Sequence, residues 1–140
     1  MCSSDFHTQK GYELACENQL TSAMEDYLEM IARLTRSGTH TRVHLLAERL
    51  NVKASSASKM VDNLRELGLV LSEKYGHIQL TSYGNVLGEY LLHRHDLLNR
   101  LLCLINHTSD ELEQTERIEH YIDERTIHNI EHFLQQYPGS

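Results

Sequence analysis

Proline occurs once in these 140 residues and glycine seven times, so the chain is poor in the residues that break helices or force tight turns. That scarcity favours a mainly α-helical fold. No apolar run approaches the length of a membrane span, and the N-terminus does not follow the basic, apolar, small-residue order of a signal peptide. Cys2, Cys16 and Cys103 are odd in number and form no CxxC pair, which points to reduced thiols and a cytoplasmic protein. Cys103 lies in the run Leu101-Leu102-Cys103-Leu104-Ile105 and is expected in the core. Positive charge is also scarce. A net charge of −7 weighs, taken alone, against a nucleic-acid partner.

The distribution of charge reverses that view. Residues 38–84 carry six Lys/Arg against four Asp/Glu, whereas the remainder carries seven against sixteen. Phosphate contact is local, so a mildly basic middle can meet DNA if the acidic rest is neutralised, and divalent cations would do so.

Hydrophobic residues make up 40% of the chain, enough for a core in one compact unit or two small lobes. Residues 1–20 are polar and are expected to form a flexible extension. Ser22 and Glu25 fit a capping box at the start of a helix that carries Met24, Tyr27, Leu28, Ile31 and Leu34 on one stripe. A short helix over Val43–Leu50, a turn at Asn51-Val52-Lys53 and a second helix over Ala54–Leu67 give a helix-turn-helix. Gly68 suits the end of that second helix. Residues 69–73 and 77–80 then predict two strands joined at Lys74-Tyr75-Gly76. Helix-turn-helix followed by a hairpin is the winged-helix order. A long helix from Thr81-Ser82 to about Ile105 follows, then one from Asp110 to about Ile122 with Leu112 and Ile118 inward, and a last one over Glu124–Gln136. The expected units are therefore residues 1–20, a DNA-binding domain over 21–84, and a helical metal-binding and dimerisation domain over 85–140. Three helices after so small a lobe present more apolar surface than it can bury, which predicts a homodimer.

The second helix of a helix-turn-helix puts its N-terminal part in the major groove. Here that part holds Lys53, Ser55, Ser56, Ser58 and Lys59, with no acid among them. Hydroxyls and amides at a helix start suit phosphates and base edges, and a lysine suits a phosphate or a guanine. Arg42 and the wing residues Lys74, Tyr75 and His77 are placed to meet backbone or minor groove. The plainer alternative is a serine-rich surface helix beside an ordinary hairpin.

A second pattern concerns hard donors. Asp26 and Glu29 lie three residues apart, Glu116, Glu119 and His120 lie three and four apart, and His95 sits between. On a helix such spacing puts side chains on one face. Carboxylate oxygen and imidazole nitrogen suit Mn(II) or Fe(II), and a bridging carboxylate lets three helices hold two ions. Taken singly, each cluster is more simply a solvated face, with Glu29 pairing to Arg33. His128 and His132, with Glu124 or Glu131, form a lesser candidate, and His93 a weaker one still.

Several stretches together are specific: Ser22-Ala-Met-Glu-Asp-Tyr-Leu-Glu29, Leu46-Ala-Glu-Arg-Leu50, Val52-Lys-Ala-Ser-Ser-Ala-Ser-Lys-Met-Val61, Glu73-Lys-Tyr-Gly76, Leu80-Thr-Ser-Tyr-Gly84, Arg94-His-Asp-Leu-Leu98 and Glu116-Arg-Ile-Glu-His120. In this order the chain resembles the diphtheria-toxin-repressor family of iron- or manganese-dependent transcriptional regulators, over about residues 21–136. The resemblance implies a dimeric repressor that binds palindromic promoter DNA of metal-uptake genes when its metal is bound. It implies two Mn(II) ions, one on Asp26, His95, Glu116 and Glu119, the other on Glu29 and His120 with Glu116 and Glu119 shared. Sulfur ligands of the iron branch stand where this chain has Asp26 and Glu116, which favours manganese. It also implies a chain without the SH3-like domain of longer relatives. The alternatives are an iron-responsive regulator of the same family, a metal-independent winged-helix regulator and a di-metal hydrolase. Against the hydrolase, the chain offers no substrate-pocket motif and no separate general base.

Overall fold

Thr21, not Ser22, caps the first helix: its hydroxyl accepts the Met24 amide at 3.1 Å. The shift of one residue removes Glu25 from the expected capping box and turns it inward. The computed structural model describes residues 20–72 and 76–137, so the expected extension, apart from Leu20, and the wing tip at Lys74 and Tyr75 lie outside the described residues. Helix α1 (Ser22–Arg36) is followed by α2 (Val43–Leu50) and α3 (Ala54–Glu66), then β1 (Val70–Ser72) and β2 (Ile78–Leu80). Helices α4 (Ser82–Asn106), α5 (Leu112–Ile118) and α6 (Glu124–Gln135) complete the order, with a 3₁₀ turn at Glu119–Tyr121 between the last two. This is the expected mainly helical architecture with a small wing.

The turn of the helix-turn-helix is made by Asn51, which adopts the left-handed region (φ 56°) and ends α2. The wing strands are antiparallel, Val70 opposite Leu80 and Ser72 opposite Ile78, and the Ile78 amide also bonds the Thr41 carbonyl at 2.9 Å. Each strand starts one residue later than its sequence run suggests, at Val70 and at Ile78.

Two hydrophobic clusters organise the chain. The larger joins Leu28 and Ile31 of α1, Leu46 of α2, Val61 and Leu64 of α3 and Leu91 of α4. The smaller joins Leu97 and Leu98 of α4 to Ile127 and Leu134 of α6. Helix α4 thus serves both cores, its first half packed on the winged helix and its second on α6. Two expectations fail here. Leu112 is exposed and Cys103 only half-buried. The run around Cys103 lies at the far end of α4, where α6 covers one side and leaves Ile105 in solvent. No described helix is long and apolar enough to cross a membrane.

The wing and α4 meet at one tight joint. Thr81 caps α4 by accepting the Gly84 amide at 2.9 Å, and its hydroxyl donates to the Gly68 carbonyl at 2.7 Å. Gly84 is required there, since a Cβ would sit 1.9 Å from the Leu69 carbonyl oxygen. That atom is backbone and cannot swing aside. Gly84→Ala is therefore expected to cost about 3 kcal/mol and to lower the thermal midpoint by about 10 °C at fixed protein concentration. Thr81→Ala, which loses only the cap, is expected to cost about 1 kcal/mol. Equal melting of the glycine variant and the parent would show that the joint yields.

Candidate functional site

Helix α1 places Glu25 and Glu29, four residues apart, on the face buried against α4, with Asp26 beside them at the surface. Helix α4 answers with Arg94 and His95, both buried. The third contributor is the 3₁₀ turn. The helix expected over 110–122 is shorter, because α5 ends at Ile118 and Asp123 caps the next helix through the Thr126 amide at 2.9 Å. Glu119 and His120 therefore project from a tightened turn, while Glu116 remains on the exposed side of α5.

Glu119 is the centre of the arrangement and only 1% exposed. Its Oε2 lies 2.8 Å from His95 Nδ1, and its Oε1 lies 3.9 Å from His120 Nε2. His95 Nδ1 is also 3.9 Å from Glu29 Oε2, and His120 Nε2 is 2.9 Å from Asp26 Oδ1. Two donor groups result, Asp26–Glu119–His120 and Glu29–His95–Glu119, each with ligand atoms within 4.8 Å of one another. They share Glu119. Five of the six candidate residues are thus brought together.

The pairing differs from the one the resemblance implies, for Asp26 goes with His120 and Glu29 with His95. The cause is helical: Asp26 and Glu29 lie on successive turns of α1 and so face different imidazoles. Glu116 belongs to neither group. It lines the same open hollow, with Asp26, Glu29, Arg33, Arg49 and Glu119 among its neighbours. The lesser candidates separate, since His128 and His132 pair with each other at 3.2 Å and Glu131 pairs with His93.

The electrostatics show a cluster short of positive charge. Burial, reinforced by the neighbouring Glu119, pushes the Glu29 carboxyl up to about 7. Hydrogen bonds to Asp26 and then Glu25 raise the His120 imidazole to about 10. His95 is raised by its hydrogen bond to Glu119. All three shifts favour holding a proton, which is what an excess of carboxylate demands. A divalent cation meets the same demand, and all-oxygen and nitrogen donors suit Mn(II) or Fe(II). Donor atoms about 3–4 Å apart match the edges of a polyhedron around an ion held at roughly 2–2.5 Å. The residues present fit such an ion.

Two residues at the site escaped sequence reasoning. Glu25 accepts from Arg94 at 3.3 and 3.5 Å and receives His120 Nδ1 at 2.8 Å. Two signals were available: the spacing of four from Glu29, and an arginine beside His95 in an apolar stretch of α4. The capping-box pattern concealed the first.

Lys53, Ser55, Ser56, Ser58 and Lys59 are all exposed along the start of α3, while Ala57 between them is buried. Arg42 is exposed at the start of α2 and its guanidinium meets His77 Nε2 at 2.9 Å, beside a stacked His40. This face carries hydroxyls and cations and no carboxylate in its leading turn.

Comparison with known proteins agrees with this layout. Residues 19–78 match the family described as "Iron dependent repressor, N-terminal DNA binding domain", and residues 81–138 match "Iron dependent repressor, metal binding and dimerisation domain". The HTH-type transcriptional regulator MntR of Oceanobacillus iheyensis is 39% identical over 111 residues, covering 79% of this chain and 76% of that protein. The same-named regulator of Bacillus subtilis is 36% identical over 118 residues, covering 84% and 83%. Among solved structures, the manganese regulator SloR superposes with a TM-score of 0.71 at 29% identity over 82% of this chain. The metal-dependent transcriptional regulator MtsR shares the fold, with a TM-score of 0.73 at 24% identity over 80% of this chain. The chain spans about half the length of those two solved proteins, 54% and 53%. By its two matched units, which together run from residue 19 to residue 138 and part at the joint before α4, the chain belongs to the iron-dependent repressor family.

Proposed function

We propose that this protein is a manganese-dependent transcriptional repressor of metal-uptake genes, acting in the cytoplasm as a homodimer on a palindromic operator. The observation that carries the reading is Glu119, a buried carboxylate whose two oxygens face separate histidine–carboxylate groups. Two Mn(II) ions per chain, on Asp26, Glu119 and His120 and on Glu29, His95 and Glu119, follow from it, with Glu116 supplying a further ligand from the rim of the hollow. The relatives named as MntR and the manganese regulator SloR support manganese as the signal.

The residues divide the work. Asp26 and Glu29 belong to α1, whose apolar face packs in one core with α3. His95 sits beyond the middle of α4, and Glu119 and His120 precede α6. Drawing these donors together fixes α1, and with it α3, against the unit that forms the dimer. A bound divalent cation supplies the positive charge that offsets crowded carboxylates. With the two α3 helices of a dimer held in fixed relation, Lys53, Ser55, Ser56, Ser58 and Lys59 meet successive half-sites. Arg42, with the wing residues Lys74 and Tyr75, adds phosphate contacts.

Iron is the second reading, favoured by the description of the matched family. Activation of DNA binding by Mn(II) and by anaerobic Fe(II) at equal free concentration separates the two, and tighter operator binding with Mn(II) is expected.

Promoter fragments captured at one salt concentration, with Mn(II) and then with chelator, test gating itself. Enrichment only with Mn(II) is expected, and equal capture in both would remove the metal from the mechanism. Glu119→Ala is expected to abolish the Mn(II)-dependent increase in DNA affinity, because a residue shared by both groups matters more than an outer partner worth roughly 10–100-fold. Sedimentation should still show a dimer.

A further inference from the structure

We infer that Glu25 and Arg94 are positioning residues of the metal centre, which hold His120 with Nδ1 protonated and so leave Nε2 free to act as a ligand. The inference rests on the reading of Asp26, Glu119 and His120 as a metal site.

The three side chains form one buried chain of contacts. Arg94 is 4% exposed. It presents two N–H groups to Glu25, at 3.3 and 3.5 Å. Glu25 Oε1 lies 2.8 Å from His120 Nδ1. A carboxylate oxygen only accepts, so the hydrogen is on Nδ1. On the other edge of the ring, Nε2 faces Asp26 at 2.9 Å and Glu119 at 3.9 Å. By the same rule Nε2 carries a hydrogen toward Asp26 as long as no cation is bound. A divalent cation among Asp26, Glu119 and His120 would displace that hydrogen alone and take the Nε2 lone pair, while Glu25 keeps the hydrogen on Nδ1.

Arg94 gives the arrangement its sign. Its Nη2 lies 3.4 Å from the same His120 Nδ1. With the Glu25 carboxylate in place, that oxygen takes hydrogens from both groups. Without it, the guanidinium N–H groups become the nearest partners of Nδ1, and they favour a lone pair there. The hydrogen would move to Nε2, the edge the metal needs. Glu25 thus decides between two tautomers, and Arg94 anchors Glu25 while resting 5.9 Å from the Tyr90 ring centre.

A buried ion pair is a weak source of stability, because desolvation offsets most of its attraction. Positioning accounts for the placement of this one better than stability does. Among the described residues Glu25 makes no hydrogen bond or ion pair with Glu29, His95 or Glu119, so its effect falls on the group of Asp26, Glu119 and His120, whereas the Arg94 charge also reaches Glu29.

The test is Mn(II) binding to the full chain, counted from the electron paramagnetic resonance signal of the free ion, for the parent and for Glu25→Gln. The expected result is two binding steps in the parent. In the variant, one step is weakened by roughly 10–100-fold, as for lost outer partners, and the other is unchanged. Metal-free melting and dimer mass establish that the variant is folded. If Glu25→Gln does not fold, because Arg94 is left unbalanced, the double variant Glu25→Gln/Arg94→Gln removes both charges, and one step weakened at least about tenfold more than the other is then the expected result. Two unchanged steps overturn the inference, and so does equal weakening of both, which marks a purely structural role. A parent that binds no Mn(II) overturns the proposed function itself.

Discussion

The close approach of α1 and α4 sets the positions of everything at the metal centre. Gly88 lies under Ala32 so tightly that a Cβ would stand 2.9 Å from the alanine methyl. The helices run antiparallel from that point. Seven residues back along α1 is Glu25, and six forward along α4 is Arg94, each about two turns or roughly 10 Å away. The register fixed by a missing side chain therefore puts Glu25 against Arg94 and brings Glu29 to His95. A larger residue at 88 would separate the helices before it reached any ligand.

That register forces charge into a place where it is costly. Glu25, Glu29, Arg94, His95 and Glu119 are all buried, and isolated buried charges are unfavourable by several kcal/mol each. The pattern of compensation is uneven. Glu25 has the buried Arg94, whereas Glu29 has the half-exposed Arg33 at 3.5 Å and the His95 imidazole at 3.9 Å, and the described partners of Glu119 are imidazoles. The unbalanced part of the cluster is the part that faces the hollow. A protein built for stability alone would place apolar side chains here. The imbalance instead makes the relation between α1 and the turn before α6 depend on an added cation, which is the physical basis of a switch.

Much of this was legible in the sequence. Helix α2 lies over the predicted residues, and the helix-turn-helix and wing follow the predicted order, since apolar periodicity and the Asn51 and Gly68 punctuation are local signals. The donor residues were legible because they recur at helical spacing. Three features were not. The 3₁₀ turn at Glu119–Tyr121 depends on Asp123 starting a new helix so soon after α5, a competition between caps that spacing does not reveal. Glu25 matched a capping pattern, and only the tertiary position of Arg94 shows that it points inward. The assignment of Asp26 to His120 and Glu29 to His95 depends on the α1–α4 register, set by Gly88, a residue with no side chain to signal it.

Among the described residues no hydrogen bond or ion pair joins α3 to the donor residues, so the link between them runs through packing. Ala57, Val61 and Leu64 of α3 share a core with Leu28 and Ile31 of α1. Close-packed side chains transmit displacement because they leave no space to absorb it. Helix α1 is thus the one element whose apolar face belongs to the winged helix and whose acidic face belongs to the metal centre. Helix α4 cannot serve as a simple hinge between the two units, because it is continuous through both cores. Where α1 meets the 3₁₀ turn, the side-chain bonds among the described residues are those of Asp26 and Glu25 with His120. His120 therefore joins α1 to the turn that leads into α6, as His95 joins α4 to it, and the charge balance around these imidazoles decides how firmly.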